Sequence, residues 1–176
     1  MGIFAHGLWS AAAAKAGPKL EDRQLRPSLA ALWGVFPDLF AFVPPWIWIF
    51  TVSGFSGTYV LGNGEALPEK LAPALRMAAG LYNLSHSAVV FALCFCIAWL
   101  AFRRPVYEMY AWFLHILIDL PTHTAGFFPT PVLWPVSSWT FTHGISWGTW
   151  SFQLINYSLL ALAFGALVMR RQKNRG

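Results

Sequence analysis

With 176 residues, 57% of them hydrophobic, 17% aromatic and only 11% charged, the chain has too little polar surface to cover a soluble fold. Its net charge of +5 comes from a few basic residues set in short groups beside apolar runs, a pattern of topology signals that excludes nucleic acid as a partner. The composition implies an all-α integral membrane protein made of a single polytopic domain, with membrane lipids as its surroundings.

Residues 1–17 are Ala-rich and too short to cross about 30 Å of hydrocarbon at about 1.5 Å per residue, so they read as a short interfacial or packed helix. They lack a basic leader and carry His6 inside the apolar run, which argues against a cleaved signal. Gly17-Pro18 ends this helix, and a charged connector, KLEDRQLRP, follows. Residues 28–52 form the first expected span. Pro37, Pro44 and Pro45 forbid a straight helix there, and a break is expected at Pro37-Asp38.

Four glycines between residues 53 and 67 read as a loop, and residues 68–80 as an amphipathic helix leading into the membrane. The second expected span, residues 81–102, contains no Asp, Glu, Lys or Arg and stops at Arg103-Arg104-Pro105. Its two cysteines, Cys94 and Cys96, point to opposite sides of a helix and read as buried, inert thiols. Residues 105–120 form a third, short span, with Glu108 near its start as a surface partner for Arg103 and Arg104. An uncharged, Pro- and aromatic-rich loop, residues 121–142, reads as a lid at the interface, and residues 145–169 complete about four transmembrane helices. If the chain starts inside, ten of its twelve Lys and Arg lie on the inner side, so both termini are expected to be cytoplasmic. Six tryptophans, among them Trp46, Trp134 and Trp150, then fall on the outer interface.

The chemistry concentrates in HILIDLPTH. On a helix, His115 and Asp119 project from one face a turn apart, and His123 follows in the exit turn. The topology places His86 and Asp119 in the outer half of the membrane, with Asp38 at the break in the first span. Ionisable groups at that depth cost several kcal/mol unless they are paired or coordinated. Imidazoles and carboxylates together suit zinc, with manganese or iron as alternatives. A hydrogen-bonded helix pair, a proton relay and a two-histidine heme site are the competing readings. Asp38 can equally cap a restarting helix, and His6 and His143 can be structural.

The segments GVFPDLF, LSHS and HILIDLPTH…FFPTPVLWP, with the opening FAHGLWSAAAAKA, resemble the bacterial inner-membrane proteins described as membrane-bound metal-dependent hydrolases, the YdjM-like group. The resemblance implies a four-span helical protein with a divalent-metal site at Asp38, His86, His115 and Asp119, and His6 as a looser match. Many members carry a His-Arg pair just before the Thr-His-Ser motif. Leu81-Tyr82 and Ser85-His86-Ser87 occupy this region here, so an arginine suited to phosphate is missing. Two functions stand at this point. One is a membrane-embedded hydrolase of an amphiphilic or lipid-linked ester or phosphoester, with His123 as acid or base. The other is a non-enzymatic membrane protein, an Asp/His proton-coupled carrier or a scaffold.

Overall fold

The computed structural model describes residues 1–21, 23–52 and 71–173. The expected glycine-rich loop at 53–67 lies outside them. The described residues form six α-helices: α1 (Ile3–Ala16), α2 (Pro27–Val52), α3 (Ala72–Ser85), α4 (Ala88–Phe102), α5 (Tyr110–Thr122) and α6 (Trp150–Lys173). A 3-10 turn, Tyr107–Met109, leads into α5. Two of the helices, α2 and α6, are long and apolar enough to cross a membrane, and α3 with α4 forms a third candidate span bent by 61°. These features mark a membrane protein by length and composition.

Three expectations about the spans are corrected. The first span is not broken at Pro37-Asp38, because α2 runs through all three prolines. Each proline removes only one ladder bond, and α2 is clamped along its length by α1, α3 and α5, which keeps the helix continuous around it. The break falls instead in the second span, at His86-Ser87, where the sequence shows neither proline nor glycine. The expected third span is the shortest of these segments: α5 has 13 residues, with Pro121 inside its last turn, and does not reach across hydrocarbon alone.

The break at His86-Ser87 survives because the loop after α5 satisfies the freed backbone. Ser87 caps α4, its Oγ accepting from Val89 N at 3.1 Å and Val90 N at 3.2 Å. The same hydroxyl donates to the Trp134 carbonyl, and Ala88 N donates to the Val132 carbonyl at 2.9 Å. The uncharged loop is therefore a backbone partner for the bend. Ser87→Ala is expected to cost about 2 kcal/mol, the upper end for a lost N-cap, because it also orphans the Trp134 carbonyl. Denaturant unfolding in detergent measures the loss, with Ser87→Thr retaining most of the stability.

The centre of the bundle is a three-helix contact in near register. α1 runs antiparallel to α2, with Ala14 against Ala30 and Ser10 against Gly34. α5 runs parallel to α2: Ala111 lies against Ala30, and one turn further on His115 bonds to the Gly34 carbonyl. Alanines and a glycine let the three backbones approach closely at these two levels. One turn higher, the same register brings together His6 of α1, Asp38 of α2 and Asp119 of α5. α1 is thus a packed helix inside the bundle. On its other side α6 covers it, through Leu160 beside Met1 and Ala5 and through a Trp9 Nε1 to Asn156 Oδ1 hydrogen bond of 2.9 Å.

Glu108 pairs with Arg26, Nε to Oε1 at 3.0 Å, rather than with Arg103 or Arg104. The parallel packing of α2 and α5 sets the start of both helices side by side, while Arg103 turns away in a left-handed conformation at the end of α4.

Candidate metal centre

Four donors from four places converge. Asp38 comes from α2, His86 from the bend between α3 and α4, and His115 and Asp119 from successive turns of α5. His86, His115 and Asp119 are fully buried, and Asp38 is 9% exposed. One donor atom from each lies within 4.8 Å of all the others, an arrangement that could hold a metal ion.

The individual distances are informative. His86 Nε2 lies 3.0 Å from His115 Nε2. Asp119 Oδ2 is 3.5 Å from His86 Nε2 and 3.2 Å from His115 Nε2. Asp38 Oδ1 is 3.6 Å from the first nitrogen and 3.7 Å from the second. A tetrahedral ion with ligand bonds of 2.0–2.1 Å has donor-to-donor edges of about 3.3 Å. The five separations scatter about that value, and most are long for hydrogen bonds.

The outer contacts assign the ring nitrogens. His115 Nδ1 faces the Gly34 carbonyl at 2.7 Å, and a carbonyl can only accept, so Nδ1 carries the proton and Nε2 presents a lone pair inward. His86 Nδ1 is held by Ser85 Oγ at 2.9 Å, and Tyr82 stacks on its ring with centroids 3.7 Å apart. A purely hydrogen-bonded knot is possible if His86 Nε2 donates to His115 Nε2. Asp119 Oδ2 would then remain as a fully buried carboxylate oxygen without a hydrogen-bond donor, and this is the state in which the structure places it. The Asp119 charge itself is paired through Oδ1 with the Met1 amine, but a buried carboxylate oxygen left without a donor is costly, so the donor geometry and the bare Oδ2 both favour a cation.

The other side of Asp119 is occupied as well. His6 Nε2 lies 2.9 Å from Oδ1, off the line of a hydrogen bond, and the His6 ring stacks on His115 with centroids 3.6 Å apart. Burial pushes the His6 imidazole down to about 4, with the neighbouring His115 adding to the effect and Asp119 opposing it, so the ring is neutral near pH 7. The Met1 amine also contacts Oδ1.

His123 caps the end of α5, and its Nε2 is 3.6 Å from Asp119 Oδ2. Its Nδ1 lies 2.8 Å from the Phe128 carbonyl and 2.7 Å from the Tyr82 hydroxyl. The carbonyl fixes the proton on Nδ1 and leaves Nε2 as the accepting nitrogen. Burial is the main influence lowering this imidazole below its ordinary value. His143 is exposed, edge-on to Phe141, and lies apart from the cluster.

All five predicted ligands are therefore in or against the cluster, and His123 borders it. Sequence reasoning missed Tyr82 and Ser85, which orient His86 and His123. Their signal was weak: Tyr82 stands one helical turn before His86, a spacing common to any helix pair. Comparison with known protein families, curated proteins and solved structures finds no match for this chain.

Proposed function

We propose that this chain is a membrane-embedded metal-dependent hydrolase acting on an amphiphilic or lipid-linked ester or phosphoester, as its likeness to the YdjM-like group implies. The reading rests on one observation above the rest: two inward-facing imidazoles and two carboxylates whose donor atoms all lie within 4.8 Å of one another, with Asp119 Oδ2 buried and without a hydrogen-bond donor. Asp38, His86, His115 and Asp119 hold the ion. Two neutral imidazoles and two carboxylates, one of them shared with the Met1 amine, suit a divalent cation, and a set of four nitrogen and oxygen donors favours zinc over manganese or iron. A divalent ion there supplies Lewis acidity toward an ester or phosphoester oxygen.

The protein's own groups do the rest. His123 Nε2 is the base in this reading, because Nδ1 is committed to the Phe128 carbonyl; the attacking water would take the place that the Met1 amine holds 3.3 Å from Nε2. His6 braces Asp119 from the opposite side. Among the described residues no Lys or Arg touches the cluster, which favours a carboxylic ester over a phosphoester. The likeness to the YdjM-like group implies a bacterial inner-membrane location, and the distribution of Lys and Arg along the chain supports cytoplasmic termini.

The 3.0 Å separation between His86 Nε2 and His115 Nε2 supports a second reading, a shared proton in an Asp/His proton path. Metal analysis of protein purified without chelators from metal-replete cells separates the two. The hydrolase reading expects one divalent ion per chain, cleavage of a long-chain ester in detergent that stops with chelator and resumes with zinc, and a fall in kcat for His123→Gln at unchanged metal content. Protein without bound metal overturns it.

A further inference from the structure

A cavity of about 1350 Å³ lies between α2, α4 and the start of α5, separate from the metal-binding donors. Its walls are apolar, with Trp33, Phe36, Cys94 and Trp112 among them, and Ser85 and Phe40 lie at the end nearer the cluster. At the other end stand three arginines, Arg23, Arg26 and Arg104, with Glu21 and Glu108. Both of those carboxylates already have partners: Glu108 takes Arg26, and Glu21 accepts from the Tyr107 hydroxyl at 2.9 Å. Arg23 and Arg104 have no ion-pair partner among the described residues, so the mouth offers two guanidinium groups to an anion.

The cavity also opens sideways. Phe40, Ile97 and Phe102 line it and are exposed, which leaves its apolar length facing the hydrocarbon. From Arg26 to Phe40 along α2 the rise is about 21 Å, enough for a headgroup and the chains of one leaflet, about half of a 30 Å core. We propose that this cavity is a binding site for one anionic phospholipid, its phosphate between Arg23 and Arg104 and its acyl chains against Trp33, Phe36 and Cys94. Charge complementarity at the mouth and an apolar cleft open to the bilayer identify the occupant. Asp38 lies about 18 Å along α2 from Arg26, so the headgroup is held away from the metal-binding donors. This lipid is therefore a bound partner and not the hydrolysed ester.

Native mass spectrometry of the full chain in detergent, titrated with phosphatidylglycerol, phosphatidylcholine or inorganic phosphate, tests the site. One phosphatidylglycerol is expected to stay bound per chain where phosphatidylcholine dissociates, and phosphate alone is expected not to bind. Arg23→Gln and Arg104→Gln should each weaken phosphatidylglycerol retention on the order of fivefold. Cys94→Trp fills the cleft and should exclude the lipid with both arginines intact. All three variants are expected to keep their metal content and unfolding midpoint, which separates loss of the lipid from loss of fold. Equal retention of the two lipids, retention unchanged in the arginine variants, or a second copy of the chain in place of lipid overturns the proposal.

Discussion

Asp119→Asn is expected to weaken metal binding by more than about 100-fold, beyond what loss of an outer-shell partner costs. Asparagine preserves shape and can still hydrogen-bond, but it removes the charge whose Oδ2 lies 3.2 Å from His115 Nε2 and 3.5 Å from His86 Nε2. Stability gives an independent readout through its dependence on metal. If a cation is held, the variant loses the metal-linked stabilisation, about 4 kcal/mol for an ion present at a thousand times its dissociation constant. If the cluster is only a hydrogen-bonded knot, the variant still loses the buried ion pair between Asp119 and the Met1 amine, but the loss is the same with added zinc and with chelator. Competition against a chelator and unfolding in detergent, run on the same preparations, decide between them. His143→Ala serves as the control and should change neither, because that ring is exposed beside Phe141.

Gly34→Ala is expected to destabilise the bundle by about 3 kcal/mol and to lower metal occupancy with it. A methyl group at Gly34 would overlap Ser10 Oγ and Cβ, and it would lie 3.0 Å from the His6 carbonyl oxygen. Ser10 is buried, and although its hydroxyl can rotate its Cβ cannot, so α1 must shift as a body. That shift carries His6 away from Asp119 and tilts the Gly34 carbonyl that fixes the His115 tautomer. Adding Ser10→Gly removes the nearest overlaps. The double variant is expected to recover most of the stability and the metal, a non-additivity that places the effect at this crossing and not in the glycine's backbone freedom.

Much of the candidate site was legible before any coordinates. His115 and Asp119 lie on one helical face by their spacing alone. The cost of burying an aspartate or histidine in an apolar run then selects Asp38 and His86 as well, since neither belongs in lipid without a partner. His6 was harder to place. Counting positive charges puts its helix at the inner surface, while the other donors lie outward. The antiparallel seating of α1 along α2 resolves this, because Ala14 sits at the Ala30 end and His6 arrives beside Asp119.

The spans were less legible, for reasons of packing. Pro37, Pro44 and Pro45 are strong local signals for a break, yet α2 continues through them under contacts from three helices. His86-Ser87 carries no local break signal. It bends because Ser87 and Ala88 find partners in the Val132 and Trp134 carbonyls of a loop more than forty residues away.

The membrane class, the helical content and the identity of the polar donors are readable from the residues alone, because they follow from hydropathy and from the cost of burying charge. The tertiary structure alone decided where the chain bends, which helices cross and how near the donors come. Those depend on Ala14, Ala30, Gly34 and Ala111, whose small side chains set the distance between helices far apart in the chain, and on loop carbonyls that no local pattern identifies.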